Sequence, residues 1–400
     1  MPFRRSARRV QRVLDPVVEF LRIEAVGGAV LLAATIAALA LANSPVADAY
    51  QRLWEHEVTV GGLRWDLRHW VNDGLMTVFF LVIGLEVKRE LTIGRLRDPR
   101  RASLPILAAL AGAAVPALVF LAINPSGPAA RGWAIPMATD PAFAVGVLAL
   151  LGSRVPAGAK AFLLALAVVD DIAAVTVIAV AYTSHLALGW LAVAAVGVLA
   201  GGLLLRAPVL PLVGWGLLGL LGVGVWWAAW RSRLHATIAG VALGFAVPGR
   251  PIGGRSRLEL LEGRLHLVSA YLVVPLFALA NAGVVLDAEG LSAAWGSRVA
   301  WGVAAGLLVG KLAGVVGASA VAIRLGLGSL PEDMGGRQLW GLGALAGIGF
   351  TVALFVTDLA YGSVPSIGVD PAKLAILAAS LIAGLAGAAV LFGPRASPTN

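Results

Sequence analysis

Most of the apolar residues in this chain fall into runs of fifteen or more with almost no charge, and a chain built this way has few folds open to it. A helix needs about 20 apolar residues to cross the hydrocarbon of a bilayer, with a range near 17–25. Twelve runs meet or approach that length: 25–42, 71–85, 104–123, 133–151, 161–182, 186–205, 209–230, 234–247, 267–286, 299–323, 339–359 and 374–391. Runs two and eight are short and need polar flanks or neighbouring helices to complete them. The first run is too long for a signal peptide and lacks a small-residue cleavage site before the next element. Charged residues make up 13% of the chain against about 25% in soluble domains, which argues against a cytosolic enzyme. The expected fold class is an all-α polytopic membrane protein with about twelve transmembrane helices. A basic arm over 1–24 would precede a single transmembrane domain over 25–393, and a short tail over 394–400 would follow it.

The distribution of charge gives the orientation. Of the 31 Lys and Arg residues, 22 lie on the side shared by both termini, eight on the other side, and Lys311 inside a run. By the positive-inside rule both termini are cytoplasmic. The net charge of +9 therefore reads as a topology signal, with Arg4 to Arg12 as a membrane-flanking arm and no nucleic-acid partner. Cysteine is absent, which excludes a disulfide framework, a thiolate metal site and a cysteine nucleophile. No two of the five histidines are spaced as metal ligands on one helix. No nucleotide-binding loop, catalytic serine motif or cofactor signature is visible, so transport would have to draw on existing ion gradients.

One loop opposite the termini is long, 43–70. In it Val58-Thr59-Val60 and Leu63-Arg64-Trp65 flank Gly61-Gly62, a two-residue hairpin signal. An isolated hairpin is marginal in water, so a partner strand is expected, supplied by a second copy of the chain.

Ionisable groups within spans are costly and by default mark a pathway or a proton relay. Asp140, Asp170, Asp171 and Lys311 stand far from the ends of their runs. Asp140 also fits a helix cap at a kink, and Lys311 a structural counter-ion. The adjacent pair is harder to dismiss. Successive helical residues point about 100° apart, so at most one of Asp170 and Asp171 easily meets a lone cationic partner. Two carboxylates at low dielectric do not both stay ionised cheaply, and a pair that binds either a monovalent cation or protons has the chemistry of an exchanger.

Two runs are interrupted. The fourth contains Ile135-Pro136-Met137-Ala138-Thr139-Asp140-Pro141, and the eleventh contains Gly347-Ile348-Gly349-Phe350-Thr351. Broken backbone at membrane depth is tolerated only where it is buried or lines a cavity. With the N-terminus inside, residues 104–182 and 299–391 have opposite orientations with a broken helix at each centre. That is the inverted-repeat transporter pattern, with two broken helices crossing at the midplane.

These segments resemble the NhaA family of bacterial Na⁺/H⁺ antiporters, itself one of the inverted-repeat examples behind that pattern. The likeness runs from Asn72-Asp73-Gly74-Leu75-Met76 and Gly84 to Leu91, through Ala138-Thr139-Asp140, Gly152 to Pro156, Val169-Asp170-Asp171 and His235 to Gly240, to Pro275 to Gly283, Gly310-Lys311 and Gly347 to Thr351. The resemblance implies that Asp170 and Asp171 carry the cation and the protons. It implies that Lys311 pairs with Asp170, and that Lys311 and Asp140, with Thr139 beside it, offset the helix ends at the crossing. It also implies Na⁺ export with Li⁺ as an alternative, two protons per Na⁺, pH and sodium homeostasis in the inner membrane, and a homodimer formed through a periplasmic β-hairpin. Glu86, Glu90, Glu262 and His266 at cytoplasmic helix ends, and His235 at the outer start of run eight, would sense pH; a solvated mixed-charge face is the plain alternative for the first four. Two departures stand out. Pro141 follows Asp140 where an aliphatic residue is expected, and Asp358 is unexpected near the outer end of run eleven and reads as interfacial.

Two other classes compete. An intramembrane aspartyl protease would use Asp140 and Asp170 but leaves Lys311 and Asp171 unexplained and lacks the Gly-x-Gly-Asp context. A channel does not need a lysine opposing buried carboxylates, although a proton-translocating subunit of a larger complex would.

Overall fold

The computed structural model describes residues 25–183, 186–207, 212–252, 256–362, 364 and 366–393; the basic arm expected over 1–24 and the tail over 394–400 lie outside them. Among the described residues nine helices are long and apolar enough to span a membrane. Gly336–Leu345 and Phe350–Tyr361, bent by 42° at the break between them, make a tenth together. Leu188–Leu204, at 17 residues, and Ile238–Ala246, at nine, are apolar but shorter. Run two is completed by helical flanks on both sides and extends over Leu67–Thr92. Run eight stays short, supported by close packing against Met76–Thr92: a Cβ on Gly240 would fall 2.2 Å from the carbonyl oxygen of Thr77.

The ninth run is placed differently from its expected bounds. The helix covers Arg257–Asn281, beginning ahead of the apolar run and ending before Leu286, so Glu262 and His266 belong to the helix rather than to its approach. The reason is a stripe hidden among charges. Leu258, Leu261 and Leu265 recur at three- and four-residue spacing and pack with Leu85, Leu205 and Val247, a helical face that a search for unbroken runs passes over.

Burial sorts the helices into centre and rim. About 56% of the residues in the most apolar stretch of Pro128–Arg154 and of Ala157–Ala181 are buried, against 22% for Val213–Arg231. The rim presents Val213, Leu220 and Val223 outward, as a lipid-facing surface requires. The main core contains Phe80, Phe277, Leu307, Ile348 and Phe355, drawn from the second interrupted segment and from helices packed about it.

The hairpin forms as the sequence predicts. β1 (Glu57–Val60) and β2 (Leu63–Asp66) pair antiparallel with Val60 opposite Leu63, and Gly61 and Gly62 take φ of 58° and 86°, the left-handed region that glycine enters without strain. Its support comes from the same chain. Trp65 packs against His69, Trp70, Trp226 and Trp230 at ring distances of 4.4–5.8 Å, and Trp70 Nε1 donates to the Val58 carbonyl at 3.1 Å. Ring contacts of this kind add to plain area burial.

Candidate functional site

The fourth span is interrupted where its sequence removes helical hydrogen bonds. Tight turns over Pro128–Met137 give way to extended backbone at Ala138 and Asp140, and a helix restarts at Pro141–Leu151. Pro141 lacks an N–H and sits at the first helical position, where none is needed. Instead of shifting the break, it starts the next helix. Asp140 is the N-cap and accepts from Phe143 N at 3.2 Å.

The eleventh span breaks between Leu345 and Phe350, and this break lies against the first. At Gly347 a Cβ would stand 2.5 Å from the Leu307 carbonyl oxygen, so only glycine lets the chain pass there. Four hydrogen bonds join the two breaks. Asp140 N donates to Ile348 O at 2.6 Å and Thr139 Oγ1 to Ala346 O at 2.9 Å. Thr351 donates to Asp140 Oδ2 through its backbone N at 3.0 Å and its hydroxyl at 2.7 Å. One buried carboxylate thus closes two helix N-termini, its own and that of Phe350–Tyr361, where the positive ends of the helix dipoles favour negative charge.

Lys311 answers the opposite end of the first break. It is fully buried, directly after a widened π-type turn over Gly306–Gly310, a distortion often found at functional sites. Its Nζ donates to the Met137 carbonyl, at the negative end of the 128–137 turns, and to both carboxylate oxygens of Asp170 at 2.9 and 2.8 Å. Asp170 Oδ2 also accepts from Thr139 N at 2.7 Å. Three donor bonds, two from a cation, satisfy this carboxylate.

Asp171 is treated differently. It is 6% exposed, makes no hydrogen bond or ion pair among the described residues, and lines a cavity of about 60 Å³ together with Asp140, Thr351, Glu86 and His266. That volume suits an ion with a water or two.

Asp140, Thr139, Asp170, Asp171 and Lys311 therefore come together from three spans. Glu86 and His266 join Asp171 on the same cavity. Arg89 reaches Glu262 at 2.6 Å and Glu90 at 3.3 Å, so those two acids form a partly buried ion-pair group rather than a solvated face. His235 is separate. It lies near the hairpin end, 3.8 Å from Asp73 and hydrogen-bonded with Thr237. Asp358, half-buried near the end of its helix, accepts from Asn72 at 2.9 Å and pairs with Lys373 at 3.4 Å. Thr351, direct partner of Asp140, is marked in the sequence only by its place just after the glycine break, at the start of the resumed helix. Lys373 carries no such mark, because it lies one residue before the apolar run begins.

The comparisons with known proteins agree on one family. The family model described as Na⁺/H⁺ antiporter 1 matches residues 18–391. A Na⁺/H⁺ antiporter NhaA of Mesorhizobium japonicum is 47% identical over 388 residues, covering 95% of each chain. Na⁺/H⁺ antiporter NhaA 2 of Erythrobacter litoralis is 45% identical over 381 residues, 93% of this chain and 92% of the relative. The NhaA antiporter of Bordetella parapertussis is 46% identical over 384 residues, with 93% and 95% covered. With a match of this extent and identity, and a broken-helix crossing of this kind at its centre, the chain belongs to the NhaA family of Na⁺/H⁺ antiporters.

Proposed function

We propose that this protein exports Na⁺ from the bacterial cytoplasm in exchange for protons, across the inner membrane, with Li⁺ as an alternative cargo. The observation that carries this reading is the inequality of the two adjacent carboxylates. Asp170 is held by Lys311 and Thr139, whereas Asp171 stands unpaired on a small cavity. Carboxylate and hydroxyl oxygens suit a hard monovalent cation. A cation entering the cavity meets Asp171 first and draws Asp170 from Lys311 as a second ligand. Protons arriving from the other side return both acids to neutrality and release the cation. Two carboxylates thus take two protons for each Na⁺, and one net positive charge enters per cycle. Lys311 and Asp140 hold the four helix ends in register while the carboxylates change charge.

The bias of Lys and Arg supports cytoplasmic termini, and therefore a cavity reached from the cytoplasm past Glu86 and His266. In this reading Leu188–Leu204 and Ile238–Ala246 also cross, bringing the spans to twelve, and 104–182 and 299–391 are inverted repeats. The hairpin pairs two copies of the chain. Glu86, Glu90, Glu262 and His266 set the pH at which exchange begins, with His235 acting at the outer side. The aspartyl-protease alternative is disfavoured because Asp140 spends both oxygens on helix N-termini and Asp170 is held by Lys311 and Thr139.

Purified protein in liposomes, followed by a pH-sensitive dye, tests the reading. Na⁺ is expected to drive proton movement without any redox partner, and Asp171→Asn to abolish it. Redox-dependent or Na⁺-independent proton flux would overturn it.

A further inference from the structure

On the hairpin side of the site, the helix Phe350–Tyr361 carries three residues on one face: Thr351, Phe355 and Asp358, at intervals of four and three. Thr351 holds Asp140 in the crossing. One turn further out, Phe355 packs with Phe80, Phe277 and His235 at ring distances of 5.3, 6.4 and 5.4 Å, and the three phenylalanines are almost wholly buried. The next turn brings Asp358, about 10 Å beyond Thr351 at 1.5 Å per residue. It is placed so that one oxygen accepts from Asn72 at 2.9 Å while the other meets the buried Lys373 at 3.4 Å. Asn72 in turn exchanges amide hydrogen bonds with Asn281 at 2.7 and 3.2 Å. Two spans supply the asparagines, Leu67–Thr92 and Arg257–Asn281, and two others supply the charged pair, Phe350–Tyr361 and Asp370–Phe392.

Thr351 lines the cavity beside Asp171, but none of the aromatic-layer or polar-layer residues does, so both layers stand between the site and the hairpin end. We propose that Asp358 is the latch of an outer gate: Lys373 holds it in place, and its hydrogen bond from Asn72 fastens the helix carrying Thr351 to the two spans across the path. Opening the outer side requires that bond to break. Lys373 stays paired with the Asp358 carboxylate and keeps it oriented as the bond breaks and reforms, so the latch is reversible without leaving the buried lysine unpaired. The inference rests on the transport reading, but its test reads accessibility and not exchange, so either idea can fail alone.

The chain has no cysteine, so one introduced thiol reports by itself. Ala278 is fully buried, three residues before Asn281 on the same helix and to the site side of it. The experiment measures labelling of Ala278→Cys in the full-length protein by a membrane-impermeant thiol reagent added outside right-side-out vesicles. Labelling is expected to be slow with the latch intact. Adding Asp358→Ala is expected to speed it about tenfold, the size of one charge-assisted hydrogen bond in the opening equilibrium. Asn72→Ala, which leaves the Asp358–Lys373 pair intact, is expected to do the same and serves if the Asp358 variant does not fold. Asp358→Asn, still able to accept from Asn72, should fall between. Unchanged labelling in the folded variants would overturn the latch, and a drop in melting temperature without faster labelling would reduce Asp358 to a packing role and overturn it as well.

Discussion

Lys311 Nζ lies 2.8 and 2.9 Å from the two carboxylate oxygens of Asp170, with neither side chain in contact with solvent. A pair held this way costs heavily when only one member is removed, because the other stays buried and uncompensated. Lys311→Ala should therefore destabilise by about 3–5 kcal/mol, seen as a lower melting temperature in detergent, whereas Lys311→Arg should retain most of the stability. The double variant Asp170→Asn with Lys311→Met should melt above the Lys311→Ala single variant. Equal melting of all four proteins would remove the pair as a stabilising element.

Asp171 presents the opposite case. With no bond to lose, Asp171→Asn should leave the melting temperature unchanged or raised, since an unpaired buried carboxylate is a cost to the fold. Na⁺-driven proton movement should nevertheless disappear. A loss of stability as large as that of Lys311→Ala would mean that Asp171 is structural after all.

If Na⁺ and protons compete for the same two carboxylates, the apparent Na⁺ affinity should fall about tenfold per pH unit below the working range for each proton displaced, roughly 1.4 kcal/mol. Saturating Na⁺ should then partly rescue exchange at low pH. Transport measured against Na⁺ concentration at several pH values checks this; a constant apparent affinity with a falling maximal rate would point instead to a separate gate.

Thr351→Val removes a 2.7 Å hydroxyl bond to Asp140 but leaves the backbone donor in place. It should cost about 1 kcal/mol and slow exchange modestly. Asp140→Ala loses the caps of two helices at once, and at about 1 kcal/mol or more for each should cost at least twice as much in thermal melts.

Most of the spans, the hairpin register and the two breaks could be read from sequence because each leaves a local mark: an unbroken apolar run, alternation about Gly61-Gly62, and Pro or Gly inside a run. Lys311, Asp170 and Asp140 stood out because charge inside such a run is expensive. Arg257–Val268 did not, because its apolar stripe is interleaved with charges. The pairing of Asp358 is hidden for a related reason. Its partners Asn72 and Lys373 lie 286 residues earlier and 15 residues later in the chain, and nothing local distinguishes a paired aspartate near a helix end from a solvated one.

The four hydrogen bonds that join residues 139–140 to residues 346–351 also govern how this gene can change in length. Adding or deleting one residue within either break turns the helix that follows by about 100°. Asp140 would then point away from Thr351, and the fault would spread to a span more than 200 residues distant. The connection 325–335, between the Lys311 span and the eleventh, meets the fifth span through the bond from Gly158 N to Asp333 Oδ2 at 2.9 Å but takes no part in the crossing. Length variation is therefore expected to collect in connections of that kind, and the two breaks to keep their spacing even where their side chains differ.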